Sequence, residues 1–489
     1  MKIAMLSWES LHSIRVGGIA PHVTELAAAL HGRGHEIHVY TRMGEKQKPH
    51  ECIEGVFYHR CPFDAQPEFV TSMERMSDSL VWHLAEEQAF SGRAYDIVHG
   101  HDWLVGTALR QIKNLHHRPV VVTIHSTEYG RCGNELFWHG QSRRIREMEW
   151  EATYLANRVI CVSESLRKEV QWLYSVPKDK TIAIYNGVDV RPFDVEVDTK
   201  SVRRRYDVGL GEPCVLFAGR LAWQKGPDLL VEAMPRVLDE HPRTKFLFAG
   251  EGDMRPGLEA RAAAVGGAKA ARFVGYRSGR DLVSLFKTAD VVCVPSRNEP
   301  FGIVILEAWS ATKAVVATRT GGPAEFVRHG DTGLTVPTEI AAIGDGLDRV
   351  LSDDEEARFM GRNGRKEAET RFSWDNIASQ TEAIYMSIHS NAREGTSPGR
   401  LAKAEAASMP AVPKVTRRND PRTTPHPADG PTGLGLRPEG ETLGPTAGRE
   451  PTEEQIRRRA YQIYMARGCT PGDPMADWLQ AERELRGER

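Results

Sequence analysis

What most constrains this chain is a recurring unit, a short and nearly continuous apolar run followed by an amphipathic stretch. Runs at residues 3–8, 36–40, 96–101, 120–125, 159–163 and 181–185 are rich in Val and Ile and scarcely alternate with polar residues. A strand wetted on one face alternates, whereas a strand buried on both faces, as in a parallel sheet covered by helices, does not. The stretches between them have helical spacing. At residues 21–31, Pro21 suits a first turn, and Gly32 and Gly34 close the helix. Repeated βα units predict a doubly wound α/β domain.

The pattern then restarts, with runs at residues 214–218, 245–249, 272–274, 291–295 and 314–318 and helical stretches at 227–238 and 305–311. A chain of 489 residues is too long for one ordinary core. The reading is therefore two Rossmann-like domains, at residues 1–190 and 195–372, with a linker around 189–200 and a helix at 373–390. Ligands of open α/β sheets lie beyond the carboxyl ends of the strands. Two such edges facing one another predict a site in the cleft between the domains.

Residues 391–449 contain no aromatic side chain and are dominated by Pro, Gly, Thr, Ala and charge. Such a stretch buries too little apolar surface to offset its conformational entropy, and a disordered linker is expected. Within 450–489, Thr452 and Gln455 fit a capping box, Ile456, Ala460, Ile463 and Tyr464 follow at helical spacing, and Gly468 suits a stop. Asp473-Pro474 opens a second helix with Trp478, Ala481 and Leu485 on one face, giving a small two-helix module and a candidate docking unit for a protein partner.

A net charge of −2 offers no field for nucleic acid or an anionic membrane. The seven cysteines are scattered without metal-like spacing, which suits reduced thiols in a cytoplasmic protein. The apolar opening run meets Glu9 too soon for a signal peptide, and no run approaches a membrane span, so no stable membrane insertion is expected.

Chemistry concentrates at the ends of the strand-like runs. Gly17-Gly18 follows the first run and opens a helix, so backbone can approach a ligand and helix amides can meet an anion. His99-Gly100-His101-Asp102-Trp103 ends another run, a polar loop with an aromatic suited to a sugar-contacting rim. His125 ends a third, where an imidazole can bond a sugar hydroxyl. In the second half, Arg220 and Lys225 follow a strand and a glycine, a placement that neutralises an expelled diphosphate. The segment from Val294 to Ala308 carries Glu299 in a Pro/Gly loop and Glu307 inside an apolar helix, where a carboxylate needs a partner such as a ribose hydroxyl. The amides of Phe301, Gly302 and Ile303 sit at that helix start, ready for phosphate or sugar oxygens.

Together Gly17-Gly18, His125, the Arg220/Lys225 pair and Glu299-x7-Glu307 resemble the retaining GT-B glycosyltransferases of the family 4, glycogen-synthase-like group, over residues 1–388. The resemblance implies that Gly18 faces the donor phosphates, Arg220 and Lys225 hold the diphosphate, Glu299 contacts the donor sugar, Glu307 the ribose, and His125 lies near the reacting sugar. It also implies that the helix opened by Phe372-Ser373-Trp374 crosses back onto the first domain, and that neither metal nor cofactor is required. The donor is then a co-substrate, ADP- or UDP-glucose. His101, Asp102 and Trp103 resemble part of the H-x-H-D-W element of glycogen and starch synthases and are expected on the acceptor side, which favours an α-glucan acceptor. Arg15 stands where that group usually has Lys, and the Asp that usually follows the Gly-Gly loop is missing, which leaves a small-molecule or lipid acceptor as the alternative. A nucleotide-sugar epimerase and an inactive scaffold are the other classes. The first needs a second acid/base group in the cleft, and the intact cationic pair speaks against the second. The tail resembles a small uncharacterised bacterial C-terminal module.

Overall fold

The computed structural model describes residues 1–136, 140–395, 459, 480 and 483–486. Residues 1–390 form one compact unit built on two sheets. The first has eight strands: β1 (Lys2–Leu6), β2 (Glu36–Arg42), β3 (His50–Ile53), β4 (Val56–Cys61), β5 (Ile97–His101), β6 (Val120–Ile124), β7 (Arg158–Cys161) and β8 (Thr181–Ala183), in the spatial order 3-4-2-1-5-6-7-8. The second has six: β9 (Cys214–Ala218), β10 (Lys245–Ala249), β11 (Ala271–Gly275), β12 (Val291–Val294), β13 (Ala314–Thr318) and β14 (Leu334–Val336), in the order 11-10-9-12-13-14. All pairings are parallel except β3 with β4.

The apolar runs are strands because helices cover both of their faces. Ile3, Met5, Val39 and Ile97 are fully buried, and so are Val215, Leu216, Val291 and Val315. The hairpin β3–β4 was not legible as a strand pair. His50, Glu51, His59 and Arg60 break its apolar pattern, and it sits at the sheet edge. β14 is three residues long and left little pattern to read. The stretch read as a linker is anchored: Phe193 is buried and meets Phe286 edge-on, and Asp198 caps the helix Thr199–Arg205.

Both sheets reverse their winding once. In the first the chain builds outward from β1 and then returns to lay β5 beside it; in the second, β12 returns beside β9. Loops diverge at such a switch point and leave a crevice at the carboxyl ends of the strands. The Gly17-Gly18 loop follows β1 and the His101–Trp103 segment closes β5. Arg220 and Lys225 follow β9, and Glu299 follows β12.

The helix Trp374–Gly395 packs on the first sheet, so the polypeptide recrosses to the domain it began with. Trp374, Ile377, Ala378, Tyr385 and Ile388 share a core with Ile3, Met5, Val23 and Ile97. Among the described residues, no helix is long and apolar enough to cross a membrane. The helix expected at 373–390 runs on through residues 391–395, the expected start of the linker; the rest of that linker, 396–449, and nearly all of the two-helix module lie outside the described residues. Within that module Arg459, Gln480 and 483–486 are helical, and Glu484 accepts from Arg459 Nε at 2.6 Å and Gln480 Nε2 at 2.9 Å.

Candidate active site

The second-domain edge is ionic. Lys225 Nζ donates to both carboxylate oxygens of Glu299, at 2.9 and 2.8 Å, and Ser296 Oγ donates to Glu299 Oε2 at 2.9 Å. Glu299 is nearly fully buried, and Lys225 and Ser296 supply the compensation that burial of a carboxylate demands. Arg220 is exposed, and Gln224 Oε1 steadies its Nη2 at 3.1 Å. The loop under Glu299 is made by Gly321-Gly322. A Cβ on Gly321, at φ +57°, would stand 2.0 Å from the Glu299 carbonyl oxygen, and Gly322 N donates to that oxygen at 2.9 Å. Paired glycines followed by Pro323 at a helix start repeat the signature of Gly17-Gly18 and Pro21, so the signal that would have exposed this loop was in the sequence.

Gly302 opens the helix Ile303–Ser310 at φ +97°, with no side-chain cap, which leaves the first-turn amides for an anion. The Phe301 ring is core, packed against Phe326 and Tyr185, so only its backbone is available to the site. Glu307 lies on the same helix. No side-chain hydrogen bond or ion pair reaches its carboxylate among the described residues, and burial pushes its pKa up to about 7.

The first-domain edge is mostly neutral. Glu9, buried just after β1, accepts from the amides of Val16 and Gly17 at 2.5 and 2.7 Å and so sets the course of the glycine loop. Gly18 has an ordinary φ of −72°; glycine is needed there for room, because a Cβ would lie 3.1 Å from Ile303 Cδ1. The first domain's glycine loop and the second domain's helix start are therefore in contact. His101 and Trp103 are buried; Trp103 belongs to the core and meets the exposed Phe69 edge-on at its border. The open sugar-contacting rim expected of His101, Asp102 and Trp103 is thus not what forms. Asp102 takes φ +60°, is buried, and its Oδ1 accepts from the His125 amide at 2.6 Å. Its role is to hold the His125 backbone, and burial raises its pKa to about 6.

His125 is half-buried, with its Nε2 3.2 Å from His101 Nδ1. Burial, and then the neighbouring rings of His22 and His99, hold it well below the usual imidazole range, so it is neutral at pH 7. Below it His99 bonds Tyr385 Oη at 2.6 Å and Thr123 Oγ1 at 2.7 Å, which ties the recrossing helix to the imidazole cluster. Arg131, absent from the sequence reading, lies between Glu128 at 3.0 Å and Glu149 at 2.6 Å. It is near enough to Arg220 to lower that residue's pKa, as the second cause after desolvation.

The domains are also clasped. Glu325 of the second domain accepts from the amides of Glu164 and Ser165, at 2.9 and 2.5 Å, which cap a first-domain helix. Asn298 Nδ2 reaches Asn134 Oδ1 at 2.6 Å.

Two family models divide this architecture between them: "Glycosyltransferase Family 4" matches residues 16–191 and "Glycosyl transferases group 1" matches 198–367. An uncharacterized glycosyltransferase of Methanocaldococcus jannaschii is 39% identical over 389 residues, spanning 79% of this chain and 98% of that one. A glycogen synthase of Mycobacterium tuberculosis is 30% identical over 81% of this chain and 96% of its own length. The chain belongs to the glycogen-synthase-like family 4 glycosyltransferases of the GT-B fold. The glycosyltransferase is also 30% identical to a D-inositol 3-phosphate glycosyltransferase of Corynebacterium urealyticum, over 81% and 97% of the two chains. Sucrose-phosphate synthase from Thermosynechococcus elongatus superposes with a TM-score of 0.69 at 25% identity, covering 80% of this chain and 99% of that one. Anabaena HepE, solved in complex with UDP-glucose, has the same fold, with a TM-score of 0.64, 22% identity and 79% and 100% coverage. The tail matches "Protein of unknown function (DUF2934)" at residues 451–487.

Proposed function

We propose that this glycosyltransferase moves glucose from ADP- or UDP-glucose to the non-reducing end of an α-1,4-glucan, with retention of anomeric configuration. The reading rests above all on one observation: Arg220 and the Lys225–Glu299 pair share a switch-point edge with Glu307, a half-buried carboxylate that no side chain among the described residues satisfies. In this reading the donor diphosphate takes Arg220 and Lys225. Glu299, released in part from Lys225, accepts from hydroxyls of the donor sugar. The ribose hydroxyls supply what Glu307 lacks.

Breaking the bond between the anomeric carbon and the phosphate oxygen leaves negative charge on the diphosphate. The two cations and the uncapped amides at the start of Ile303–Ser310 stabilise that charge where it develops. The acceptor hydroxyl attacks the same face that the diphosphate leaves, and its proton passes to the departing phosphate oxygen, so no protein nucleophile is needed. Neutral His125 holds a sugar hydroxyl and Asp102 holds His125. The acceptor lies against the first domain. In this reading the transfer needs no metal, and turnover is expected to survive EDTA.

A structural relative crystallised with UDP-glucose supports the donor class, and the glycogen synthase relative supports the glucan. The test is nucleotide release by purified protein given ADP- or UDP-glucose, with glycogen, with a sugar or polyol phosphate, or with no acceptor. Glucan-dependent release with α-linked product is expected. Release stimulated only by the small phosphate replaces the acceptor assignment, and an inverted product removes the retaining mechanism.

A further inference from the structure

Three imidazoles from distant segments meet under the glycine loop. His22 is in the first turns of the helix Ile19–Gly32, His101 ends β5, and His125 follows β6. One nitrogen from each lies within 4.8 Å of the others. The closest pair, His101 Nδ1 and His125 Nε2, is 3.2 Å apart. Two nitrogens bound to one tetrahedral zinc at about 2.0–2.1 Å stand about 3.3 Å apart, close to the spacing of this hydrogen-bonded pair, so a bound ion would replace that hydrogen bond with little change of distance.

His22 supplies the independent observation. Its Nδ1 is 2.7 Å from Asn186 Oδ1, an oxygen that can only accept, so the proton sits on Nδ1 and Nε2 presents a bare lone pair. That Nε2 is buried and has no hydrogen-bond partner among the described residues, and the residue is 3% exposed. The His22 ring meets the His125 and His101 rings edge-on, at 4.6 and 5.2 Å between centroids, so it points into the cluster. A histidine whose second nitrogen donates to a carbonyl oxygen is the usual arrangement of an oriented metal ligand.

We propose that His22, His101 and His125 form a site for a borderline divalent cation such as Zn²⁺, oriented by Asn186 and open on the half-buried His125 side. Imidazole ligands suit Zn²⁺, Co²⁺ and Ni²⁺ and not the hard, oxygen-seeking Mg²⁺ or Ca²⁺. On binding, the proton shared between His101 and His125 moves to a ring nitrogen that does not face the ion, so charge and protons balance within the pair. Binding would require side-chain rotations that shorten the longest of these separations. The ion would occupy the nitrogen of His125 that faces the cluster and fix that ring. By fixing the ring it would set how the remaining nitrogen meets a sugar hydroxyl, so we expect the ion to modulate turnover by lowering it and not to act as a cofactor. The inhibition rests on the reading of His125 proposed above; the binding does not.

The test uses the full-length chain, stripped of metal and titrated with Co²⁺. One equivalent with tetrahedral visible absorption is expected, displaced by Zn²⁺. His22→Phe, which keeps the ring volume, is expected to abolish the band, and Asn186→Ala to weaken binding about 10–100-fold. Circular dichroism and thermal melts confirm that each variant folds. Absence of the band in the wild-type chain, or an unchanged band in His22→Phe, overturns the site. Should His22→Phe not fold, unchanged affinity in Asn186→Ala overturns it instead. Zn²⁺-loaded protein that binds metal through His22 yet turns over normally upholds the site and removes His125 from the reacting sugar.

Discussion

The two domains share a topology but solve their halves of the site with opposite chemistry. The second-domain edge is held by charge. Lys225 neutralises a buried carboxylate, Arg220 stands exposed beside it, and Glu307, on the adjacent helix, has no side-chain partner among the described residues. The first-domain edge is held by hydrogen bonds among neutral rings and by two carboxylates, Glu9 and Asp102, that grip backbone amides. A diphosphate carries its charge in every state, so fixed cations can serve it. A sugar presents hydroxyls, for which neutral donors and acceptors at fixed angles are the better match. The comparison teaches that one winding pattern can yield either kind of edge, depending on which residue types end its strands.

The contrast breaks or sharpens at four points. Lys225→Ala removes a phosphate cation and leaves Glu299 buried without its partner. A fall in kcat/KM of about 100–1,000-fold is expected, with a clear loss of thermal stability. Near-normal steady-state kinetics would show that the pair is structural. His125→Ala should cost about 10–100-fold in kcat, and by the same factor at pH 6 and pH 8, since the ring is already neutral at both. A loss that shrinks as pH rises would mean that a charged imidazole does the work.

Glu307 should make the donor side pH-dependent. Its folded pKa lies above the unfolded value, so the folded state binds the extra proton. The associated stability is full below about pH 4.5 and is lost as pH rises through about 7. Ribose hydroxyls favour the ionised form, so nucleotide affinity should rise about tenfold between pH 6 and pH 8, measured by calorimetry. Glu307→Gln should flatten both dependences, and a Gln variant that keeps the affinity profile would move the titration elsewhere. The smallest effect is expected where the domains touch. Gly18→Ala should raise donor KM roughly two- to fivefold, with Ile303→Val restoring it, because the added methyl meets only the end of a flexible side chain. A loss that Ile303→Val leaves in place would show that the two residues do not meet.

Several of these features were legible in the sequence because they are local. The strands Cys214–Ala218, Lys245–Ala249 and Ala314–Thr318 stand where their continuous apolar runs put them, since a short apolar run of this kind suits a strand buried on both faces. The pairing of Lys225 with Glu299 was not legible, because 74 residues separate them and nothing in either segment encodes the other. Trp103 was misread for a different reason. An aromatic among polar neighbours suggests exposure, but the turn at Asp102, at φ +60°, directs the indole into the core. The imidazole cluster was the least visible, since it exists only once the helix Ile19–Gly32 has been laid across β5 and β6.

The recrossing helix has a consequence for how the molecule comes into being. The face of the first sheet that carries Ile3, Met5 and Ile97 is closed by Trp374, Ile377, Tyr385 and Ile388. A ribosome delivers those residues only after the whole second domain has been made. Until then the nascent first domain carries an uncovered greasy face, with His99 lacking the tyrosine hydroxyl that fixes its ring. The two halves therefore mature in reverse order of synthesis: the domain translated first is the one finished last, and it is the one that a chaperone would guard.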